Sequence, residues 1–217
     1  MSLKIFLSDF DGTLVSRDIL DIICGIVGKE EESRKLNQDF IAGKLEGLPT
    51  LKKRINFLRG VTVREIYKKL DENNYLLQGA KELFAFLNRH EIVTVLHSGN
   101  IIPVLLYYQN LLGISHIVGT KPCMKGDVIE GINIEDFGDR NFKLNGCKKL
   151  MSQYPLLSEE DIFSLGDSPA DLPIFSISNI SIAINPKGGI DNKVNFVIRN
   201  NLSEVIPIIS KFLKDKY

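Results

Sequence analysis

Short, continuously apolar segments alternate with segments of helical periodicity along most of this chain of 217 residues. The apolar segments are LKIFLSD, EIVTVLHSGN, DIFSLGDS and ISIAINP, with NFVI and ISHIV (114–118) as weaker ones. Unbroken apolar runs are typical of strands that are buried on both faces of a parallel sheet. Helical patterns cover residues 79–90, 101–113, 141–154 and 202–213. This alternation predicts an α/β fold with a doubly wound, Rossmann-like parallel sheet.

Residues 15–77 interrupt this alternation. They contain no convincing strand, and they carry short amphipathic helical patterns at 17–28, 30–43, 49–59 and 62–72. A helical block placed after the first strand predicts a second, smaller domain over 15–77, inserted into an α/β domain made of 1–14 and 78–217. A hairpin is also predicted at 121–134, where KGD and EG punctuate apolar residues.

Composition restricts the partners and the cellular setting. Lys plus Arg number 27, as do Asp plus Glu, so charge gives no argument for a nucleic-acid or anionic-membrane partner. Cys24, Cys123 and Cys147 form no CxxC pair, which excludes a disulfide framework or zinc site and indicates a reducing compartment. No apolar run approaches the roughly 18 residues of a membrane span. The apolar start is too short for a signal peptide, and we expect a cytoplasmic protein.

Polar residues stand where three of the predicted strands end. Asp9 and Asp11 follow the first, Ser98-Gly99-Asn100 ends the second, and Asp167 with Asp171 follows the third. The carboxyl ends of parallel strands meet at one edge of a sheet, so these residues can be neighbours. Carboxylates that lie close together repel each other unless a cation lies between them. Carboxylate ligands completed by water and phosphate suit Mg²⁺.

Each of these segments alone also has an ordinary structural interpretation. A DxD at a strand end is often a turn or a helix cap, and Ser98-Gly99-Asn100 is a plausible N-cap for a helix that begins at Ile101. The residues of GDSPADLP favour a turn. An EF-hand is excluded because Thr13 and Leu14 stand where its third acid and its glycine belong, and no Walker A loop is present.

Taken together and in this order, the segments resemble the motifs of the haloacid dehalogenase-like hydrolases. DFDGTLV is similar to the first motif of that superfamily, Ser98 to the second, Lys143 to the third and GDSPADLPI to the fourth. The resemblance extends over essentially the whole chain. The helical block and the hairpin resemble those of the phosphoserine phosphatase branch, in which the block is a C1-type cap.

The resemblance implies roles for the first pair of acids. Asp9 would attack phosphorus and form an aspartyl-phosphate, and Asp11 would protonate the leaving alcohol and then deprotonate the water that cleaves the intermediate. A departing halide needs no proton, whereas an alkoxide does. Asp11 therefore favours a phosphatase over a dehalogenase.

The resemblance also implies the phosphate and metal ligands. Ser98 and the Gly99 amide would hold phosphate oxygens, and Lys143 would provide a point charge there. On residue type alone Lys121, Lys125 and Lys148 compete for that role, and position in the family motif decides for Lys143. Mg²⁺ would be bound by Asp9, the backbone carbonyl of Asp11, and Asp167. The supporting residues would be Thr13, Asn100 and Asp171, with Asp171 either in the outer shell of the metal or locking Lys143. His97 is expected to be packed and hydrogen-bonded, without a catalytic role.

The resemblance further implies a substrate subsite in the cap. Arg54, in GKLEGLPTLKKRINFL, would pair with a substrate carboxylate, and Asp18 would contact an amino group. Two departures weaken phosphoserine as the substrate: Asp18 stands where the branch usually has a glutamate, and Asn100 stands where a glycine often follows Ser-Gly.

We expect a Mg²⁺-dependent phosphatase that acts on a small-molecule phosphomonoester, with phosphoserine as one candidate. The alternatives are a phosphotransferase or mutase on the same scaffold, and a non-catalytic binding protein. The intact set of motif residues argues against the last of these.

Overall fold

The computed structural model describes residues 4–132 and 141–213. Its strands are β1 (Ile5–Ser8), β2 (Val93–Ile101), β3 (His116–Thr120), β4 (Pro122–Lys125), β5 (Val128–Ile132), β6 (Ile162–Gly166), β7 (Ile180–Ile184) and β8 (Phe196–Ile198). Within the described residues, six strands form a parallel sheet in the order β3-β2-β1-β6-β7-β8, and β4 and β5 form a hairpin. The predicted doubly wound α/β fold is confirmed, and the weak segments ISHIV and NFVI supply β3 and β8.

Helices cover both faces of this sheet. They are α1 (Ile19–Cys24), α2 (Glu30–Ile41), α3 (Gly47–Asn56), α4 (Val63–Asp71), α5 (Ala80–Arg89), α6 (Ile102–Leu112), α7 (Phe142–Met151), α8 (Leu172–Phe175) and α9 (Val205–Leu213). Alternate residues of β1 point to opposite faces, as the strand geometry requires. Phe6 packs with residues of α5, α6 and α9, whereas Ile5 and Leu7 pack with Cys147 of α7 and Ile174 of α8.

The helical block consists of α1 to α4, close to the predicted bounds. The predicted helix 17–28 is shorter than expected: α1 ends at Cys24, and a single 3-10 turn, Gly25–Val27, follows before Gly28 adopts a left-handed φ of 69°. Thr62 starts α4 with a capping box that includes Glu65.

Two connecting segments join the helical block to the sheet and run side by side. The Ser16 amide donates to the Tyr75 carbonyl at 2.9 Å, and the Leu77 amide donates to the Leu14 carbonyl at 3.0 Å. Both crossings therefore lie at one place. The hydrophobic core is nevertheless continuous across them, from Phe10 into α1 and α3.

The hairpin also contacts the helical block. Its predicted range was 121–134, of which 133 and 134 lie outside the described residues. The Ile129 amide donates to the Val61 carbonyl at 2.9 Å, and the Gly60 amide donates to the Ile129 carbonyl at 2.8 Å. These bonds hold the connection between α3 and α4 against β5. Among the helices of residues 4–132 and 141–213, none has the length and apolar character needed to cross a membrane.

Candidate active site

Asp9 is the first residue after β1, and its carboxylate is buried at the carboxyl edge of the sheet. Its Oδ1 accepts a hydrogen bond from Lys143 Nζ at 2.8 Å, and its Oδ2 accepts one from Thr13 Oγ1 at 3.1 Å. Burial raises the pKa of Asp9, but the charge and hydrogen bond of Lys143, together with smaller contributions from His97 and the Phe10 amide, outweigh it and hold the pKa below the ordinary value. Asp9 is therefore an ionised carboxylate held in a fixed orientation.

Lys143, in the first turn of α7, lies within a cluster of buried polar atoms. Atoms of Asp9, His97 and Asp171 that are able to bind a metal lie within 4.8 Å of one another. The Lys143 ammonium lies 2.8 Å from Asp9 Oδ1 and 3.9 Å from Asp171 Oδ1. We assign this cluster to the lysine, because a metal there would compete with a fixed ammonium. Lys121, Lys125 and Lys148 are exposed, and in the described part of the chain Asp9 has no ion pair with them.

His97 lies behind Asp9, with Nδ1 3.9 Å from Asp9 Oδ1. It is packed, as the sequence indicates, but the expected hydrogen bonds are absent: neither ring nitrogen has a partner among the residues described. Burial and the nearby Lys143 charge lower the pKa of His97 to about 3. His97 is therefore neutral and brings no charge to the site.

Asp11 lies beside Asp9 in the opposite protonation state. Its Oδ1 accepts from the Ile19 amide at 2.8 Å, its Oδ2 accepts from Ser98 Oγ at 3.2 Å, and Asn100 Nδ2 lies 3.3 and 3.4 Å from its two oxygens. Burial, followed by the Asp18 charge, raises the pKa of Asp11 to about 8. At neutral pH Asp11 therefore holds a proton.

Ser98, Gly99 and Asn100 lie within β2, which continues to Ile101 before α6 begins. The predicted N-cap is therefore wrong: Ile101 occupies that position, and no side chain caps the helix. Ser98 Oγ accepts from the Asn100 amide at 2.9 Å and donates to Asp11. A Cβ on Gly99 would lie 3.2 Å from a methyl group of Leu51, so the helical block covers this glycine closely.

Asp167 and Asp171 follow β6. Asp171 Oδ2 accepts from the amides of Asp167 at 3.1 Å and Ser168 at 3.2 Å, which closes the loop. Burial, followed by the Asp9 charge, raises the pKa of Asp171 to about 7. The same two causes raise the pKa of Asp167, which shows that Asp9 is close enough to repel it.

Lys187 is a site residue that was not predicted from the sequence. Its Nζ lies 2.5 Å from Asp167 Oδ2, and its amide donates to the Asp167 carbonyl at 2.8 Å. A signal was available, because ISIAINP is a strand whose end lies at the same edge of the sheet, and Lys187 is the next residue after it.

The donors of this site fit a hard divalent cation. Asp171 Oδ1 is buried and has no hydrogen-bond partner among the described residues. Burial, together with repulsion from neighbouring carboxylates, raises the pKa of Asp171 to about 7 and that of Asp11 to about 8, and the site has more carboxylates than its cations neutralise. The carboxylates are those of Asp9, Asp11, Asp167 and Asp171, and the cations are Lys143 and Lys187. Oxygen ligands of this kind are those that Mg²⁺ prefers.

Arg54 and Asp18 lie on the helical block, close enough to influence Asp11. Arg54 is buried, not a surface residue; its Nη2 donates to Asp18 Oδ1 at 2.6 Å and to Asp21 Oδ1 at 2.8 Å. Its Nε donates to Ser33 Oγ at 2.8 Å. Asp18 also caps α1 and accepts from Asn37 Nδ2 at 2.9 Å. Arg54 and Asp18 thus belong to one connected network, in which Arg54 and Asp21 are buried and Asp18 is half-buried.

Sequence comparison assigns the family. The profile of the haloacid dehalogenase-like hydrolases matches residues 6–176. The chain belongs to this family. Among relatives, the phosphoserine phosphatase of Campylobacter jejuni subsp. doylei is 27% identical over 208 residues, covering 95% of this chain and 100% of the relative. That of Methanocaldococcus jannaschii is 25% identical, covering 95% and 97%.

Solved structures of the family share the fold. A phospho-aspartyl intermediate analogue of phosphoserine phosphatase superimposes with a TM-score of 0.81 at 24% identity, covering 96% of this chain and 99% of that one. A haloacid dehalogenase family hydrolase from Salmonella enterica gives 0.84 at 18% identity, covering 98% and 72%. This likeness establishes the fold for essentially the whole described chain.

Proposed function

We propose that this protein hydrolyses a small-molecule phosphomonoester through an aspartyl-phosphate on Asp9, and that phosphoserine is the substrate to test first. One observation carries the proposal: two neighbouring carboxyl groups are held in opposite protonation states. Lys143 keeps Asp9 ionised, as a nucleophile requires, while Asp11 retains a proton, as a general acid requires. The relatives named phosphoserine phosphatase support the same assignment.

In the first step, a carboxylate oxygen of Asp9 attacks phosphorus. The bond between phosphorus and the ester oxygen breaks, and Asp11 transfers its proton to the departing alkoxide. The products are an alcohol and an aspartyl-phosphate. Asp11, now ionised, is ready for the second step.

In the second step, Asp11 takes a proton from water as the water oxygen bonds to phosphorus. The bond between phosphorus and the Asp9 oxygen breaks, which releases inorganic phosphate and restores the carboxylate. Asp11 recovers its proton, so the cycle is balanced. Asn100 and the Ile19 amide orient Asp11 through hydrogen bonds in both steps.

Ser98, the Gly99 amide and Lys143 would bind the phosphoryl oxygens. Ser98 Oγ already lies 3.2 Å from Asp11 Oδ2, and Lys143 Nζ lies 2.8 Å from Asp9 Oδ1, so both donors lie beside the reacting groups. Donors fixed where negative charge develops account for much of enzymatic rate enhancement.

Asp9, the backbone carbonyl of Asp11, and Asp167 would hold Mg²⁺, with Thr13 and Asp171 as supporting residues. When bound, the metal would offset the repulsion between the nucleophile and the phosphate oxygens. Asp171 orients the Asp167 loop through two backbone amides. Its second oxygen lies 3.9 Å from Lys143, which favours the role of a lock on that lysine.

Residues 15–77 would act as a cap that excludes water during the first step and admits it for the second. The paired connecting segments, where the Ser16 amide donates to the Tyr75 carbonyl, would serve as its hinge. Asp18 and Arg54 would face the substrate. Arg54 Nη2 and Nε already bind protein oxygens, so we expect a substrate carboxylate to be bound chiefly through Nη1.

The test is phosphate release from phosphoserine and from p-nitrophenyl phosphate, with Mg²⁺ and with EDTA. Wild type should turn over both substrates with Mg²⁺, while Asp9→Asn should lose turnover and exposed Asp191→Asn should keep it. Turnover unchanged by EDTA would contradict the metal role. Phosphoryl transfer to an added alcohol in preference to water would instead identify a phosphotransferase.

A further inference from the structure

Lys187 contacts Asp167 in two different ways. Its backbone amide donates to the Asp167 carbonyl at 2.8 Å, which fixes the main chain. Its ammonium lies 2.5 Å from Asp167 Oδ2, yet 64% of the Lys187 side chain is exposed. The ammonium is therefore free to leave the carboxylate for solvent while the rest of Lys187 stays in place.

The pair lies against the loop that carries Asp9 and Asp11. A Cβ placed on Gly12 would lie 2.3 Å from Asp167 Oδ2 and 2.9 Å from Lys187 Nζ. Asp167 Oδ2 and Lys187 Nζ therefore both lie against the backbone of Gly12, the residue after Asp11. The ammonium therefore lies beside the loop that carries Asp9 and Asp11.

The two lysines of the site differ in how firmly they are held. Lys143 pairs with Asp9, lies close to Asp171, and its side chain is only 21% exposed. Among the described residues, Lys187 has one carboxylate partner, and its ammonium is reached by water. Because Lys187 is largely exposed and Asp167 is buried, the ammonium can return to water, while the buried carboxylate still needs a cation, which a divalent metal supplies.

We propose that Lys187 is a displaceable cation that pairs with Asp167 Oδ2 until a divalent metal takes this oxygen, and that it thereby sets the metal affinity. The inference rests on the proposed function, which assigns Asp167 to the metal. An ammonium and Mg²⁺ compete for one oxygen and also repel each other at short range. Lys187 is therefore a positioning residue, and its removal should strengthen metal binding.

The first experiment measures Mg²⁺ binding to metal-free protein by calorimetry at fixed ionic strength. Lys187→Met removes the ammonium and keeps the length of the side chain, and exposed Lys193→Met is the matched control. We expect Lys187→Met to lower the Mg²⁺ dissociation constant by about threefold to tenfold. Lys193→Met should match wild type. An unchanged or weaker affinity in Lys187→Met would overturn the inference.

The second experiment follows the ammonium directly in the wild-type protein. An amine-reactive acylating reagent is applied with and without Mg²⁺, and the modification of each lysine is quantified by mass spectrometry. If Mg²⁺ releases the ammonium from Asp167, the reagent should modify Lys187 faster with Mg²⁺ than without it. The rate of modification of Lys193 should not change. Labelling of Lys187 that slows or does not change argues that the ammonium stays on Asp167.

Asp167→Asn separates this inference from the proposed function. If wild type binds Mg²⁺, Asp167→Asn does not, and Lys187→Met binds as wild type does, the metal site stands and the displacement is wrong. If wild type itself takes up no Mg²⁺, both the proposed metal site and the displacement fail.

Discussion

The Lys143 ammonium lies 2.8 Å from Asp9 Oδ1, although the two residues are 134 positions apart in the chain. The pair joins the first turn of α7 to the end of β1 and keeps a buried carboxylate ionised. In the proposed function, Lys143 would therefore both keep the nucleophile ionised and bind phosphate.

Lys143→Met should lower kcat on p-nitrophenyl phosphate by about 100-fold or more, because it removes a preorganised cation from the reacting groups. The pKa of Asp9 should rise, since burial is then no longer opposed by the lysine. The acid limb of the pH profile of kcat/KM should move to higher pH in the same variant.

Lys148→Met, an exposed lysine of the same helix, is the control for this prediction and should retain wild-type kinetics. If Lys143→Met retained the wild-type kcat, another cation would have to bind the phosphate. The assignment of Lys143 from its position in the family motif would then be wrong.

The strands and their terminal acids were predictable from the sequence because burial on both faces leaves an unbroken apolar signature. Asp9, Asp11 and Asp167 stand directly at the ends of such runs, so topology alone brings them together. The partner of Asp167 was not predicted, because Lys187 is exposed and lies in a loop without periodicity.

The contact between Arg54 and Asp18 was also not predictable from the sequence. Arg54 and Asp18 are 36 positions apart on separate helices, and their contact depends on how α1 and α3 pack. Arg54 lies in KKR, where the local pattern indicates a solvated surface, and only the family resemblance pointed to it. The local pattern of Ser98-Gly99-Asn100 favoured a helix cap, but β2 continues to Ile101, which pairs with Thr120 of β3 after an irregularity in the register. Thr120 Oγ1 donates to the Gly99 carbonyl across that irregularity.

Asn100→Ala should raise the pKa of Asp11 above its value of about 8, because it removes a donor that favours the charged carboxylate. Asp11 must be protonated for the first step, so the protonated form would persist to higher pH. The alkaline limb of kcat/KM for phosphoserine should therefore move to higher pH, as measured by initial rates across the pH range.

p-Nitrophenyl phosphate is the control substrate, because its phenolate leaves without needing a proton and its alkaline limb should move much less. Asn179→Ala, which removes an amide bonded to the Glu160 carbonyl, should leave both profiles unchanged. A limb that moves to lower pH in Asn100→Ala would contradict the assignment of Asp11 as the acid.

Arg54→Ala should lower kcat/KM for phosphoserine about tenfold more than for p-nitrophenyl phosphate, because only the former carries a carboxylate to pair with the guanidinium. The change also leaves buried Asp21 without its cation. Unfolding in urea should therefore show a loss of about 3 kcal/mol in the free energy of unfolding.

Arg34→Ala is the control, because it removes an arginine of the same helical block that pairs with Glu30 at the surface. It should change neither the relative kcat/KM for the two substrates nor the free energy of unfolding by much. Assays of Arg54→Ala must be run at a temperature at which urea titration shows it folded. Equal losses on the two substrates would mean that Arg54 supports the cap without selecting the substrate.

Gly12→Ala tests the close approach of Asp167 to the Asp9 loop. Gly12 has a φ of 86°, and a Cβ there would lie 2.3 Å from Asp167 Oδ2. The added methyl group must displace this carboxylate, so we expect the affinity for Mg²⁺ to fall by about tenfold or more. Calorimetric titration with Mg²⁺ measures the effect.

Gly60→Ala is a closely matched control, because Gly60 has a φ of 87° and nothing within 4 Å of the position of its Cβ. Both variants place alanine in the left-handed region, at a similar cost of about 1–2 kcal/mol in stability. They differ in the clash with Asp167, so a difference in Mg²⁺ affinity isolates that contact from backbone strain. Equal affinities in the two variants would show that Asp167 does not contribute to metal binding from this position.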